Sequence, residues 1–420
     1  MDAGQPDGGS AIDAGAVHLG ALVGGAGAWP GYIEGVRYRS GSQSGFTDDA
    51  GTFRWEEGSP IVFSVDDVDF RPAAGAPLLS AWQLSAAGTC AETPELERLL
   101  VLLQSLDADG SPDSGTALTP YPAPATTRPL SSLSDADVAA LVAQKFAGRT
   151  PVATLESVDR FIDQVDSELW AQIGLDTFTG LVAYGRSQGV TTDGASWFFS
   201  YQYGLERTDL SYNSQQTNNL AIPASLSLTQ GSNHIGDIDL NGTTLWAPIE
   251  DGSAYQHPYL VEYDATNLSA GATHALSNTL LTKGVPWVAV DAPRQSLYVA
   301  EWDPTPSIYV YSLAGVGYVR SIPIRPTLTR IQGAKVFEGN LYADVDTTAK
   351  TVWKINLETG TAQPLFELSN AAGTELEGLA VLARPDGSLL HTLNATAART
   401  AMEFRHHQRT REPLRKRLCP

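Results

Sequence analysis

Runs of alternating apolar and polar residues fill the second half of the chain, and one such pattern recurs five times. Each copy holds two runs rich in β-branched and aromatic residues, separated by a turn pair such as Asn241-Gly242. The copies begin, with spacings of 47, 52, 45 and 45 residues, at Gly189, Gly236, Val288, Gly333 and Gly378. Further strand-like runs start at Tyr259, Ser307, Thr351 and Thr400. The pattern predicts five antiparallel units of three or four strands.

A near-constant period in this range is typical of β-propeller blades, because one such unit cannot bury both faces of its sheet. The sequence therefore predicts a mainly β protein with a β-propeller over residues 176–410, of five blades, with six as the alternative. Large rings at matching places in the second strands are interpreted as packing between blades: Trp197, Trp246, Tyr298 and Tyr342. The run from Phe178 is predicted to add an outer strand to the last blade.

The first part of the chain has a different pattern. Residues 1–30, rich in Gly, Ala and Asp, predict a disordered stem. Strand-like runs and turns over 31–85 predict a small β-sandwich, and residues 86–175 a helical connector. Residues 411–420 are predicted to be a basic tail, solvated or bound within the molecule.

Two helices of the connector have clear signatures. Five leucines at helical spacing predict one buried stripe: Leu96, Leu99, Leu100, Leu103 and Leu106. Ser134 is predicted to cap a helix that ends near Phe146, and Thr154 to cap another that continues to Gly174.

An acidic loop follows the leucine stripe. Asp107, Asp109 and Asp113 alternate with other residues around Gly110, and such carboxylates are hard oxygen ligands of the kind that Ca²⁺ prefers. The twelfth position of a calcium loop holds Leu118 rather than Glu. The loop is thus predicted to bind Ca²⁺, with a polar helix stop as the alternative.

Composition limits the partners. Asp and Glu outnumber Lys and Arg by 47 to 27, which gives a net charge of -20 and disfavours nucleic acid. No apolar run is long enough to span a membrane, and the N-terminus lacks a signal-peptide pattern. The two cysteines, Cys90 and Cys419, are predicted to be free thiols, with one bridge between them as the alternative.

The candidate functional residues lie where the repeats begin, because the innermost strands of a propeller converge on its channel. We expect a ligand-binding site there, formed by Gln188, His234, Asp237, Gln332 and Glu377. His234, Asp237 and Glu377 are also the candidates for acid-base or metal-assisted catalysis. The alternative is structural: these side chains would bond to neighbouring backbone N–H groups and hold the blades in register.

Some phrases resemble known families. The pattern T-D-x-x-G-x-F from Thr47, the V-F-S run from Val62 and the helix and acidic loop over 95–115 resemble the front part of bacterial surface lipoproteins and adhesins.

 The phrases H-I-G-D-I-D from His234, W-A-P-I-E-D-G from Trp246 and E-L-E-G-L-A-V from Glu375 resemble secreted propeller proteins and, remotely, the SdiA-regulated and lactonase-like propellers. The lactonase resemblance implies a channel metal, with Glu377 in the place of its glutamate.

These observations predict a secreted or cell-surface protein of the lipoprotein type, monomeric and without a transmembrane segment. Its expected function is to bind a carbohydrate, a peptide or a small ligand without catalysis. The alternative is a metal-dependent hydrolase, of the lactonase type, or a lyase that acts in the propeller channel. The identity of the ligand does not follow from the sequence, because the binding loops of a propeller carry no transferable code.

Overall fold

The computed structural model describes residues 15–25, 27–85, 90–111, 115–122, 124–252, 254–369 and 372–419. The chain divides into two compact units. Unit 1 holds residues 1–167 together with 412–420, and unit 2 holds residues 168–411. Within the described residues, no helix is both long and apolar enough to cross a membrane.

Within the described residues, unit 1 contains ten short strands in three sheets. The sheet orders are β5-β1-β8, β10-β7-β6-β3-β4 and β2-β9. The strands are β1 (Val17–Val23), β2 (Ile33–Glu34), β3 (Arg37–Ser40), β4 (Gln43–Phe46), β5 (Thr52–Glu56), β6 (Val62–Val65), β7 (Val68–Asp69), β8 (Leu78–Ser80), β9 (Thr116–Ala117) and β10 (Arg128–Pro129).

The helices of unit 1 pack on these sheets in one apolar core, so the predicted sandwich and connector are a single unit rather than two domains. All five leucines of the predicted stripe are buried in this core. Ser134 caps its helix as predicted, in a capping box with Asp137. The helices are Ala81–Ser85, Pro94–Ser105, the 3₁₀ turn Leu130–Ser132, Asp135–Lys145, Thr154–Val165 and Arg415–Leu418.

The prediction of a disordered stem over residues 1–30 is wrong for the second half of that segment. Residues Val17–Val23 form β1, which pairs antiparallel with β5 and parallel with β8. Leu22 and Val23 are fully buried in the core, and this burial offsets the entropy lost when the segment is ordered. Residues 1–14 lie outside the described residues.

Both cysteines differ from the prediction, because Cys90 and Cys419 form a disulfide. The C-terminal segment is bound within the molecule, which is one of the two arrangements predicted for it. Leu414 and Leu418 are buried in the core of unit 1, and the guanidinium of Arg415 makes two hydrogen bonds to the carboxylate of Asp166, at 2.6 and 2.8 Å. Long-range pairing of this kind has no local sequence signal.

The helix from Thr154 also ends earlier than predicted, at Val165, and its N-cap is Ala153 rather than Thr154. The residues after it form a long strand instead, because their main chain pairs with the last strand of unit 2. This strand, Leu169–Thr179, adds the outer strand that was predicted from Phe178, although most of it lies before that residue.

Unit 2 consists almost entirely of strands, which are β11 (Leu169–Thr179), β12 (Gly189–Thr192), β13 (Ser196–Tyr201), β14 (Gly204–Asp209), β15 (Ser214–Asn218), β16 (His234–Ile235), β17 (Asp239–Asn241), β18 (Thr244–Glu250), β19 (Tyr259–Asp264), β20 (Ala270–Ala275), β21 (Ala289–Asp291), β22 (Ser296–Ala300), β23 (Thr305–Ser312), β24 (Tyr318–Leu328), β25 (Ile331–Phe337), β26 (Asn340–Val345), β27 (Thr351–Asn356), β28 (Ala362–Glu367), β29 (Glu375–Val381), β30 (Leu390–Ala395) and β31 (Ala401–Arg411). Two short helices, Gly180–Tyr184 and Ala224–Ser227, lie in connections.

These strands form five antiparallel sheets, one for each predicted copy. Sheet one is β12 to β15, sheet two β16 to β20, sheet three β21 to β24, and sheet four β25 to β28. Sheet five has the order β11-β31-β30-β29, so its outer strand comes from before sheet one in the chain. Sheet two has a broken first strand, since β16 and β17 both pair with β18. The mainly β prediction is confirmed.

Five apolar clusters lie between these sheets. They combine, in turn, residues of sheets one and two, two and three, three and four, four and five, and five and one. The four aromatic rings at matching places in the second strands are all buried in these clusters: Trp197, Trp246, Tyr298 and Tyr342. Each sheet of unit 2 thus buries apolar side chains against two others.

Candidate ligand-binding site

The first strands of the five sheets meet around one buried carboxylate, that of Asp237. Its Oδ1 accepts a hydrogen bond from the N–H of Val190 in sheet one at 2.9 Å. Its Oδ2 accepts from the N–H of Ala334 in sheet four at 3.2 Å and from Nζ of Lys335 at 2.6 Å. The main-chain oxygen of Asp237 accepts from the N–H of Val288, next to sheet three. One residue of sheet two is therefore bonded to three other sheets.

The glycines that begin the repeats leave room for this carboxylate. A Cβ added to Gly189 would lie 2.4 Å from Cα of Asp237, and one added to Gly333 would lie 2.9 Å from Oδ2. A Cβ on Gly378 would lie 2.8 Å from Cα of Gly189 and 3.0 Å from Oδ1 of Asp237. Contacts this short exclude larger residues unless the strands move apart.

Asp237 belongs to a small set of buried acids. Burial raises the pKa of Asp237 to about 7, although the ammonium of Lys335 opposes the shift. Burial also raises the pKa of Asp239 and, more strongly, that of Asp344. Asp239 accepts bonds from Oγ1 of Thr191 and from a main-chain N–H, so it too links neighbouring sheets. These contacts match the structural alternative for Asp237.

The other four predicted residues line one cavity of about 450 Å³. They come from the starts of the first strands, and connections on the same side of the sheets complete the wall. The lining residues are Gln188, Gln202, Asn233, His234, Glu250, Gly252, Tyr255, Pro286, Trp302, Gln332, Glu375, Glu377 and Arg399. Asp237 is fully buried and does not line the cavity.

His234 lies between two oxygen atoms in the wall. Its Nδ1 is 3.1 Å from Oε1 of Glu250, and its Nε2 is 2.5 Å from Oε1 of Gln188. Glu250 is itself buried, and its other oxygen accepts a hydrogen bond from the N–H of Val285 at 2.7 Å. The carboxylate therefore fixes the orientation of the imidazole ring.

A second polar group comes from sheets four and five. Glu375 forms an ion pair with Arg399, and its Oε1 accepts a weak hydrogen bond from Nε2 of Gln332 at 3.4 Å. Arg330 lies 4.0 Å from the same carboxylate, and its guanidinium is 4.8 Å from the ring centre of Trp302. The charges in this part of the wall are thus largely balanced.

Glu377 differs from every other carboxylate in the wall. Its side chain is only 6% exposed, yet it makes no hydrogen bond within the part of the chain that the structure describes. Burial, and then the negative charge of Glu375, raises the pKa of Glu377 well above 4.5. Burial therefore favours the neutral form of this carboxyl, which offers one O–H donor and an acceptor.

Comparison with known proteins gives only remote structural likenesses. No protein-family model matches the sequence, and no curated protein matches it significantly. Glutaminyl cyclase of Myxococcus xanthus is similar over 59% of this chain and 99% of its own, with 12% identity and a TM-score of 0.42. Hydrazine synthase of Kuenenia stuttgartiensis is similar over 50% of this chain and 56% of its own, with 13% identity and a TM-score of 0.33.

Several lining residues were not predicted, because they come from connections rather than from the repeat. Glu250 ends β18, Tyr255 follows it, and Trp302 follows β22, while Arg399 precedes β31. One feature of the sequence that could have indicated them is the acidic pair Glu250-Asp251, which follows Trp246. Among the described residues, no three His, Cys, Asp or Glu side chains are grouped so that they could hold a metal ion.

The predicted calcium loop belongs to unit 1, whereas the residues that line the cavity belong to unit 2. Oδ1 of Asp107 accepts a hydrogen bond from the N–H of Ala117 at 2.8 Å, and Asp109 accepts one from the N–H of Ser111. Arg149 donates to the main-chain oxygen of Asp107. Asp113 lies outside the described residues, so calcium binding stays a prediction.

Proposed function

We propose that unit 2 is a five-bladed β-propeller that binds a small polar ligand, or the polar end of a larger one, in the cavity at the start of its first strands. The ring is supported by the five apolar clusters, the last of which joins sheets five and one. It is also supported by Asp237, which bonds to strands of sheets one and four at once.

The observation that carries the binding proposal is the unpartnered carboxyl of Glu377. This carboxyl lines the cavity and has no hydrogen-bond partner among the described residues. Asp237 is different, since its hydrogen bonds account for it within the fold. Glu377 has no such hydrogen bonds among the described residues. A ligand in the cavity would supply the missing donor and acceptor.

The cavity has the composition of a site for a polar and largely uncharged ligand. Glu375 pairs with Arg399, Glu250 lies against the ring of His234, and the remaining groups are amides, the carboxyl of Glu377 and two aromatic rings. Its volume of about 450 Å³ is within the usual range for sites that hold small molecules.

We further propose an extracellular or cell-surface location. The support is the disulfide between Cys90 and Cys419, because disulfides form and persist in oxidising compartments. Expression with and without export, followed by titration of free thiols, tests this proposal. Equal recovery of a reduced, stable protein from the cytoplasm would contradict it.

The binding proposal is tested by replacing Glu377 with Leu, which has a similar size and no polar atoms. Removal of an unsatisfied group should leave the melting temperature unchanged or higher, whereas binding should be lost. Glu377→Gln, which keeps a donor and an acceptor, should bind. Binding is measured by calorimetry against a defined panel of monosaccharides, disaccharides, dipeptide amides and lactones.

The control is Asp237→Asn, which should lower the melting temperature because it weakens the contact with Lys335. If Glu377→Leu melted as low as this control, Glu377 would hold the fold together and the proposal would be wrong. A panel ligand that bound the wild type and Glu377→Leu equally would also contradict it.

A further inference from the structure

A second feature lies beside the cavity: a set of large apolar side chains that are open to solvent. The two most exposed are Leu181, at 89%, and Leu220, at 86%. Together the set, called here the apolar shelf, consists of Leu181, Val182, Tyr184, Tyr203, Leu220 and Leu228. Exposed apolar side chains that lie together on one surface often mark an interaction site.

The path of the chain places the whole shelf on the cavity side of sheet one. Gln188, which lines the cavity, immediately precedes β12, so β12 starts on that side. Antiparallel β13 returns to it, and its turn carries Gln202, a second lining residue, next to Tyr203. The connections before β12 and after β15 lie on the same side, and they carry the remaining members of the shelf.

Contacts join these connections into one surface. The rings of Tyr184 and Tyr201 are 5.3 Å apart, centre to centre. The hydroxyl of Tyr201 donates to the side chain of Asn219 at 3.1 Å, and the N–H of Ala221 donates to the oxygen of Tyr203 at 2.9 Å. Leu220 thus lies between two residues, Asn219 and Ala221, that are bonded to the end of β13 and to the turn after it.

The shelf is confined to one sector. The cavity-side connections of sheets two to five present no exposed large apolar side chain among the residues that the structure describes. Sheet one has a further exposed leucine, Leu210, but it lies in the turn between β14 and β15, on the other side of the sheet. Elsewhere in unit 2, exposed large apolar side chains lie on β11 and at the start of β24: Leu169, Ile173, Leu175, Tyr318 and Val319. Among the cavity-side connections of the described residues, those of sheet one alone carry such side chains.

Resting on the proposed function, we propose that the ligand is a peptide segment of another protein. Its main chain would enter the cavity, and an apolar side chain next to the inserted part would lie on the shelf. The cavity and the shelf are continuous through Gln202 and Tyr203, which are adjacent in the same turn.

The chemistry of the two surfaces favours a peptide. Each amide in the wall offers both a donor and an acceptor, which is the pair that a peptide group itself presents; the amides are Gln188, Gln202, Asn233 and Gln332. Tyrosines are enriched where proteins meet, since the ring is buried while the hydroxyl stays in water. The net charge of -20 disfavours an acidic segment.

The test uses the full chain and a library of N-acetylated, C-amidated hexapeptides. Each peptide carries one Leu or Phe at a fixed position among Gln, Asn, Ser and Thr, and a matched peptide carries Ser at that position. We expect the Leu or Phe peptides to bind about ten-fold or more tightly than their Ser partners, because burial of a large apolar side chain is worth about that factor or more.

Leu220→Ser should remove this difference, whereas Leu210→Ser, the matched variant on the other side of sheet one, should keep it. Both positions are exposed, so the melting temperature reports separately on folding. Failure of every peptide to bind, or equal weakening by the two variants, would overturn the inference.

Other ligand classes are arms of the same experiment. A glycan panel and vesicles of neutral and anionic phospholipids are tested beside the peptides. A saccharide that needed Glu377 but ignored Leu220→Ser would overturn the peptide inference and leave the cavity proposal standing. Binding to the shelf that persisted in Glu377→Leu would instead contradict the proposed function of the cavity.

Discussion

The carboxylate of Asp237 in sheet two lies 2.6 Å from Nζ of Lys335 in sheet four, although the two residues are 98 positions apart in the chain. Both side chains are almost completely buried, at 0% and 5% exposure. This ion pair, with the main-chain bonds of Asp237, links sheets that are not consecutive. It is therefore a specific test of how unit 2 is held together.

Lys335→Met should destabilise the protein strongly, because it keeps the methylene packing but leaves Asp237 buried without its cation. Breaking a buried pair in this way typically costs about 3–5 kcal/mol. Denaturant unfolding at pH 6 and pH 8 measures the loss. It should be larger at pH 8, where the carboxyl of the variant is less readily protonated. The double variant with Asp237→Asn should recover part of the loss, and full additivity of the two changes would contradict the pairing.

Gly378→Ala should also destabilise unit 2, for a steric reason. The added Cβ would lie 2.8 Å from Cα of Gly189, which is backbone and cannot swing away. Overpacking of this kind costs about 1–3 kcal/mol. Gly317→Ala is the control, since its Cβ would meet only the hydroxyl of Ser312 at 3.7 Å. Equal melting of the two variants would show that the strands can separate without cost.

Asp107→Asn should stabilise unit 1 at neutral pH. Burial raises the pKa of Asp107 to about 6 in the folded state, above the ordinary value of 3.8. The folded state then holds a proton that the unfolded state has lost, so wild-type stability falls as the pH rises from about 4 to 6. The variant should lack this part of the pH dependence. Identical pH profiles of melting for both proteins would contradict the assigned shift.

The same variant tests the calcium hypothesis for the loop. If the loop binds Ca²⁺, millimolar calcium should raise the wild-type melting temperature by mass action on the folded state, and Asp107→Asn should reduce that rise. Magnesium at the same concentration is the control for ionic strength. An unmoved wild-type midpoint would leave the loop as a helix stop.

Reduction of the disulfide between Cys90 and Cys419 should destabilise unit 1. The bond fixes the C-terminal segment whose Leu414 and Leu418 are buried in the core. Loss of a native disulfide typically costs about 2–4 kcal/mol, and thermal unfolding with and without reductant measures it. The double Cys→Ser variant should melt like the reduced wild type and ignore the reductant. A reductant effect that survived in this variant would have another origin.

The local parts of this protein follow from its sequence. The alternating runs and their turn pairs predict the five sheets, because the period of two that defines a half-buried strand is a property of neighbouring residues. The leucine stripe and the Ser134 cap are predictable for the same reason, since both depend on spacings of three or four residues. Even four of the cavity residues, among them His234 and Glu377, could be selected from their place at the start of the repeats.

The tertiary structure decided what depends on residues far apart in the chain. Asp237 lies at the start of a repeat, as the predicted cavity residues do. It is completely buried and bonded to Lys335, however, and these features match a structural role. Trp302 and Arg399 entered the cavity through connections, which have no repeating pattern. The disulfide and the burial of the C-terminal segment likewise needed the folded core of unit 1. Local patterns specify strands and turns, whereas only the packed chain determines which buried groups find partners and which, like Glu377, do not.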